Sequence, residues 1–142
     1  MTSGVAVAQW SGGCACGAIR YACEGEPALM LKCHCRDCQR ASGGPFAAIA
    51  VFAKAAASIT GEPRFHRVTG GSGHPIDRGF CPTCGNPVTV KLGVKPDLVG
   101  FYAASLDDPG RFKPTMDLFT GSAHAWDLMH PDTVKKSGGL AS

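Results

Sequence analysis

Apolar residues recur in short alternating runs along the chain, and Gly or Pro closes nearly every run. Alternation with a period of two places successive side chains on opposite faces of an extended segment. GAIRYACEG therefore predicts a strand with Ile19 and Tyr21 on one face, and Cys23 continues that alternation as a buried small hydrophobe. VTVKLG (Val88 to Gly93) and LVGFYAASL (Leu98 to Leu106) predict two more strands. FAAIAVFAKAAASIT carries both signals: its alanines favour helix, and its Ile-x-Val alternation favours strand. It reads as a strand to about Phe52 followed by a helical turn.

Punctuation limits what else can form. Nineteen Gly and ten Pro leave little room for long helices. VTGGSGHPIDRG reads as a flexible connection without a phosphate-loop pattern, LDDPGRF as a turn, and residues 131–142 as a polar, frayed tail. No repeat or dividing linker interrupts the chain, and 142 residues suit one domain. The longest apolar run, Phe46 to Ala53, is far short of the about 20 residues that span a bilayer, so no membrane partner is expected. The opening MTSGVAVAQW has neither a basic region nor an apolar core, which points away from export and toward a cytoplasmic location.

Eight cysteines change this picture. The cytosol keeps thiols reduced, and C-x-C and C-x-x-C pairs are too tight to staple distant loops, so their spacing suits chelation. A redox dithiol would need a thioredoxin-like βαβ context, which the pattern lacks. Charge points the same way. The net +3 suggests a nucleic-acid partner only while every thiol is neutral; seven thiolates on two Zn²⁺ would bring it to zero. Lysines and arginines form no stripe, with Lys135-Lys136 their only adjacent pair.

Cys81-Pro-Thr-Cys84-Gly85 has the form of a zinc knuckle, a tight turn whose amides can face the sulfurs and whose glycine relieves the backbone. It supplies two ligands. Cys14 and Cys16, on one side of an extended segment, are the natural second pair, and four thiolates would close the coordination sphere. Such an ion would tie the N-terminal strand to the later half of the chain.

A second group gathers Cys33, Cys35 and Cys38 on a short arc. Structural zinc takes four protein ligands, whereas catalytic zinc keeps one position open. Either Cys23 or a histidine completes this set as a second staple, or the fourth place belongs to substrate. His34 points away from the thiolates and reads as a supporting or surface group rather than a base. Lys32, Arg36 and Arg40 could offset the thiolate charge or receive an anionic substrate, and Gln39, Ser42, Gly43 and Gly44 offer hydrogen bonds and close backbone approach. His66, His74 and His130 carry no spacing signal, Arg78 could pair on the surface or bind substrate, and Trp126 reads as core or pocket wall.

GGCACGAIRY, CHCRDCQRASGG, RGFCPTCGNP, LDDPGRFKPTM and the late Trp126, in this order, resemble the glutathione-dependent formaldehyde-activating enzyme (GFA) family, also called CENP-V/GFA domains. The resemblance runs over about residues 12–127. It implies a mostly β fold, a β-tent of small antiparallel sheets stapled by zinc, with few short helical turns. It also implies two zinc ions per chain. Cys14, Cys16, Cys81 and Cys84 would hold the structural ion; Cys33, Cys35 and Cys38 would hold the catalytic one with an open position. The implied activity is that of a carbon–sulfur lyase acting on a glutathione-type thiol adduct such as S-(hydroxymethyl)glutathione, formed from formaldehyde and the thiol. The substrate sulfur would take the open position, and Arg36 and Arg40 would steer an anionic substrate. Family members often carry a basic residue shortly before the late Trp; here SAHAW offers only His124. The contrasting expectation is a non-catalytic zinc module for protein or nucleic-acid interaction. A basic extension would favour that reading, and few residues lie outside the domain.

Overall fold

The computed structural model describes residues 9–140, so the opening stretch read as lacking an export signal lies largely outside the described residues. Two sheets face each other. Strands β1 (Gln9–Gly13), β2 (Arg20–Glu24) and β5 (Ala57–Thr60) make a small antiparallel sheet in the order β1-β2-β5. The larger sheet has eight strands. Its centre is β3 (Leu29–Cys33), β4 (Ala47–Ala53) and β9 (Leu98–Tyr102). On one side follow β8 (Pro87–Leu92), β7 (Pro75–Phe80) and β6 (Arg64–Thr69); on the other, β10 (Met116–Leu118) and β11 (Val134–Lys135). One helix, α1 (Arg36–Ser42), leaves the end of β3.

The ambiguous alanine-rich run shows why the sheet has two buried faces. It is a strand through Ala53 and then a 3-10 turn over Lys54–Ala56, as its alternation predicts. Ala50 and Phe52 face the small sheet, where Tyr21 stacks on Phe101 at 3.9 Å and Trp10 meets Phe52 edge-on at 5.8 Å. Each such aromatic pair contributes about 0.5–1.5 kcal/mol beyond its buried area. Ile49 and Val51 face the opposite way and pack with Leu31, Val90, Tyr102 and Leu118. Gly100, on β9, would place a side chain 2.7 Å from both Ile49 and Val90, so its bareness lets those two residues close together. Cys23 is fully buried in the first core, as its alternation with Tyr21 predicts.

Four expectations need correction. The sheets are not all small and antiparallel: eight strands join in one sheet, and β10 pairs in parallel with both β3 and β11. The tail expected to fray from residue 131 instead contributes β11, because Thr133 is buried and donates a hydrogen bond to Asp117, and Lys136 N–H bonds the Asp117 carbonyl. VTGGSGHPIDRG is mostly a hairpin, its strands paired from Thr69↔Pro75 to Arg64↔Phe80. Trp126 is neither core nor pocket wall. It is 71% exposed and stacks on His124 at 4.9 Å. Among the described residues, no helix is long and apolar enough to cross a membrane.

Candidate metal centres and active-site cavity

The first thiolate set forms where two hairpin turns meet. Cys14 and Cys16 lie in the turn between β1 and β2, and Cys81 and Cys84 in the turn between β7 and β8. All four sulfurs lie within 4.8 Å of one another. Cys14 Sγ and Cys16 Sγ are 3.6 Å apart, as are Cys16 Sγ and Cys81 Sγ. Tetrahedral zinc with Zn–S bonds of about 2.3 Å spaces its sulfurs about 3.8 Å apart, so the donor set fits that ion. The knuckle folds as its sequence predicts. Cys84 N–H points to Cys81 Sγ at 3.4 Å, Gly85 N–H closes on the Cys81 carbonyl at 2.7 Å, and Gly85 has φ +78°. On the other hairpin Ile19 N–H donates to Cys14 Sγ at 3.3 Å, and Asn86 Oδ1 receives Ala15 N–H at 2.8 Å, joining the two turns directly. The Cys84 thiol is held below its ordinary range, by the Asn86 amide first and the Cys16 amide next.

The second set sits on the opposite face of the large sheet. Cys33 ends β3, paired with Ala47 on one side and Leu118 on the other. Cys35 caps α1: its sulfur accepts Cys38 N–H at 3.3 Å, so the helix start and the thiolate arc are one piece of structure. The three sulfurs lie within 4.8 Å of one another, and Cys33 and Cys38 are buried. The Cys33 thiol and then the Cys38 thiol hydrogen-bond to the Cys35 sulfur and hold the Cys35 thiol below the ordinary thiol range, and the Arg78 charge adds to this. The same contact with Cys35 pushes Cys33 up.

Two side chains fix the arc. Arg78 Nη2 donates to Cys38 Sγ at 3.3 Å, reaching across from β7. Gln39 uses its whole amide: Nε2 donates to the carbonyls of His34 (2.7 Å) and Ser122 (3.1 Å), and Oε1 accepts from Arg36 and from His124 Nε2 (2.7 Å). His124, the basic residue ahead of Trp126, is thus engaged within the protein. Arg36 borders the cavity described below, whereas Arg40 is exposed in the last turn of α1 and lies outside it.

His34 is not at the surface. It is fully buried, its Nε2 donates to Asp117 Oδ1 at 2.6 Å, and its Nδ1 has no hydrogen-bond partner among the described residues. Asp117 also draws Lys32 and Lys135, each at 3.6 Å. Sequence reasoning missed Asp117 and left Arg78 open between two roles. Asp117 had a findable signal, a lone carboxylate inside the short apolar run MDLF. Arg78 had only its place three residues before the knuckle.

A cavity of about 340 Å³ opens directly on the three thiols. Leu31, Ile49, Ile76, Val90, Leu92 and Leu118 line it, together with Phe119 and Leu140. A wider cleft of about 730 Å³ borders the four-thiolate set beside Cys14, Arg20, Asn86 and Asp107. There Arg20 is already paired with Asp107 at 2.5 Å.

Residues 9–122 match the model of the glutathione-dependent formaldehyde-activating enzyme family. The chain belongs to that family. Among solved structures, a crystal structure of a Rhodobacter sphaeroides protein from a structural-genomics programme is similar, with a TM-score of 0.52 and 20% identity over 89% of this chain and 98% of that one. At that identity the likeness is one of fold. No curated protein sequence matches the chain significantly. GFA membership gives this chain family-level support as a thiol- and formaldehyde-handling enzyme, and its two cysteine clusters can each chelate a metal ion.

Freshly purified protein kept from chelators should contain two zinc ions per chain by elemental analysis. One tightly held zinc would assign metal to the four-thiolate set alone. Disulfides in place of zinc would remove the metal altogether.

Proposed function

We propose that the chain is a zinc-dependent carbon–sulfur lyase that interconverts a hydroxymethyl-thiol adduct with formaldehyde and the free thiol. The observation that carries this reading is the contrast between the two thiolate sets. One has four thiols and is complete; the other has three, and a cavity of ligand size opens on it. Cys23, the remaining cysteine, faces the other core and cannot complete the second set; burial raises its thiol to about 11. Zinc held by Cys33, Cys35 and Cys38 would supply a Lewis-acidic position that favours the thiolate form of a substrate sulfur.

The chain's own residues set up the rest. In the cleavage direction the adduct's C–S bond breaks and its electron pair stays on sulfur, while the hydroxyl proton passes, net, to that sulfur as the C=O of formaldehyde forms, giving the free thiol. No oxidant or reductant is needed. The apolar walls exclude water from the reacting carbon, and Arg78, donating to Cys38, offsets charge where thiolates accumulate. Gln39 holds the arc still against the loop at Ser122 and His124.

Cobalt in place of zinc tests the open position through its thiolate charge-transfer absorption. That absorption should change as a thiol is titrated in, and Cys23→Ala should behave like the parent. An unchanged spectrum with thiol, together with an altered one in Cys23→Ala, would show a closed site and end the lyase reading.

A further inference from the structure

Four buried side-chain polar atoms have no hydrogen-bond partner among the described residues: Trp10 Nε1, His34 Nδ1, Arg78 Nε and Asp127 Oδ2. A buried donor without an acceptor is costly, so each of them needs a reason. Arg78 is the one of the four that lines the cavity over the three thiols. It also touches the arc, with Nη2 donating to Cys38 Sγ at 3.3 Å.

The shape of the guanidinium fixes where a partner for Nε lies. Nη2 is the terminal nitrogen on the Nε side, so the two N–H groups leave one edge of a planar fork and run side by side. With Nη2 spent on Cys38, an acceptor for Nε belongs beside that sulfur, at the arc. Arg78 can hold such an acceptor still. It sits within β7, paired with His66 on β6 and with the buried Val90 on β8. Arg36, the other arginine of the lining, donates to Gln39 and has no bond to a thiol among the described residues.

Resting on the lyase reading above, we propose that Arg78 is a catalytic residue whose Nε–H holds the oxygen of the hydroxymethyl group and of the formaldehyde it becomes. The adduct's C–S bond breaks with its electron pair on sulfur, and the hydroxyl proton passes, net, to that sulfur. Between those endpoints the oxygen carries negative charge, and a donor already fixed at that atom stabilises it without reorienting. In the reverse direction the same charge grows on the carbonyl oxygen as the thiolate adds. Arg78 keeps its own proton throughout. The oxygen is common to every hydroxymethyl-thiol adduct, so this role holds for a charged thiol and an uncharged one alike.

Arg78→Lys tests the assignment in the zinc-loaded full-length protein, with circular dichroism confirming the fold. Two quantities are read. Calorimetry gives glutathione affinity, and NMR magnetisation transfer gives the rate, above the uncatalysed one, at which S-(hydroxymethyl)glutathione exchanges with formaldehyde at saturating thiol. Lysine keeps a charge beside Cys38 but replaces the fork with a single point. Glutathione, which lacks the hydroxymethyl oxygen, should bind within about threefold of the parent, while exchange should slow about a hundredfold or more. Exchange within about threefold of the parent's would overturn the assignment and leave the lyase reading standing. A loss of glutathione affinity as large as the loss of rate would also overturn it, by placing Arg78 on the thiol rather than the oxygen. Where the lysine variant does not fold, Arg78→Ala is read with added guanidinium ion, which should speed exchange at least about tenfold more than methylammonium does. Equal rescue by the two ions, or rescue by neither, would sink the proposal. If the parent neither binds glutathione nor speeds exchange, the open position itself is wrong and both readings fall.

Discussion

Replacing Cys84 with serine should cost the protein its fold. The four-thiolate set joins the turn after β1 to the turn after β7, and Cys16 and Cys81, in contact there, are 65 positions apart in the chain. Zinc in small structural sites contributes on the order of 10–16 kcal/mol, as large as the about 5–15 kcal/mol by which whole domains are stable. A serine hydroxyl is a poor replacement for a thiolate, so Cys84→Ser should express insolubly or melt many degrees below the parent. Cys38→Ser makes the contrast. Its set is drawn from one short arc, already held by the Cys35 cap, the Gln39 amide and the sheet register of Cys33. That variant should stay folded, with a modestly lower Tm by circular dichroism, and lose activity. Equal destabilisation by the two changes would mean that the second set is a staple as well.

Asp117→Ala should be the most damaging change away from the thiols. The carboxylate is wholly buried on β10, between β3 and β11. It accepts from His34 and Thr133 and faces two lysine ammoniums, one only 12% exposed. Removing it would leave buried donors and charge without an acceptor, at a cost of about 3–5 kcal/mol. Urea unfolding would measure that loss, and amide exchange should rise first along β11. Asp117→Asn keeps the shape without the charge and should fall between. Burial opposes ionisation of this carboxyl, but hydrogen bonds from His34 and Thr133 outweigh it and hold it below the usual range. Its stabilisation is therefore present at neutral pH and fades as the medium is acidified through about 4 and below. A loss under about 1 kcal/mol in Asp117→Ala would show that the network does not hold β11 in place.

Much of the grouping of the cysteines was legible because it is local. Spacings of two and three residues decide on which side thiols fall, and the turn at Gly85 follows from neighbouring residues alone. The strand-then-turn reading of the alanine-rich run succeeded for the same reason. Non-local pairings were not legible. β10 and β11 are three and two residues long, too short to show alternation, and their parallel partners come from distant parts of the chain. The bond from His34 to Asp117 spans 83 positions and the one from Arg78 to Cys38 spans 40, so neither leaves a pattern in a local window. Trp126 misled because a large aromatic usually packs inward. Here it instead covers the ring of His124.

The lining of the three-thiol cavity is drawn from widely separated parts of the chain. Leu140 borders the pocket, and Phe119 N–H reaches the Gly138 carbonyl. The seven thiols of the two clusters all lie at or before residue 84, whereas that side of the cavity is reached through β11, docked in parallel beside β10. Whatever loosens β11 would therefore open the cavity to water without touching a cysteine.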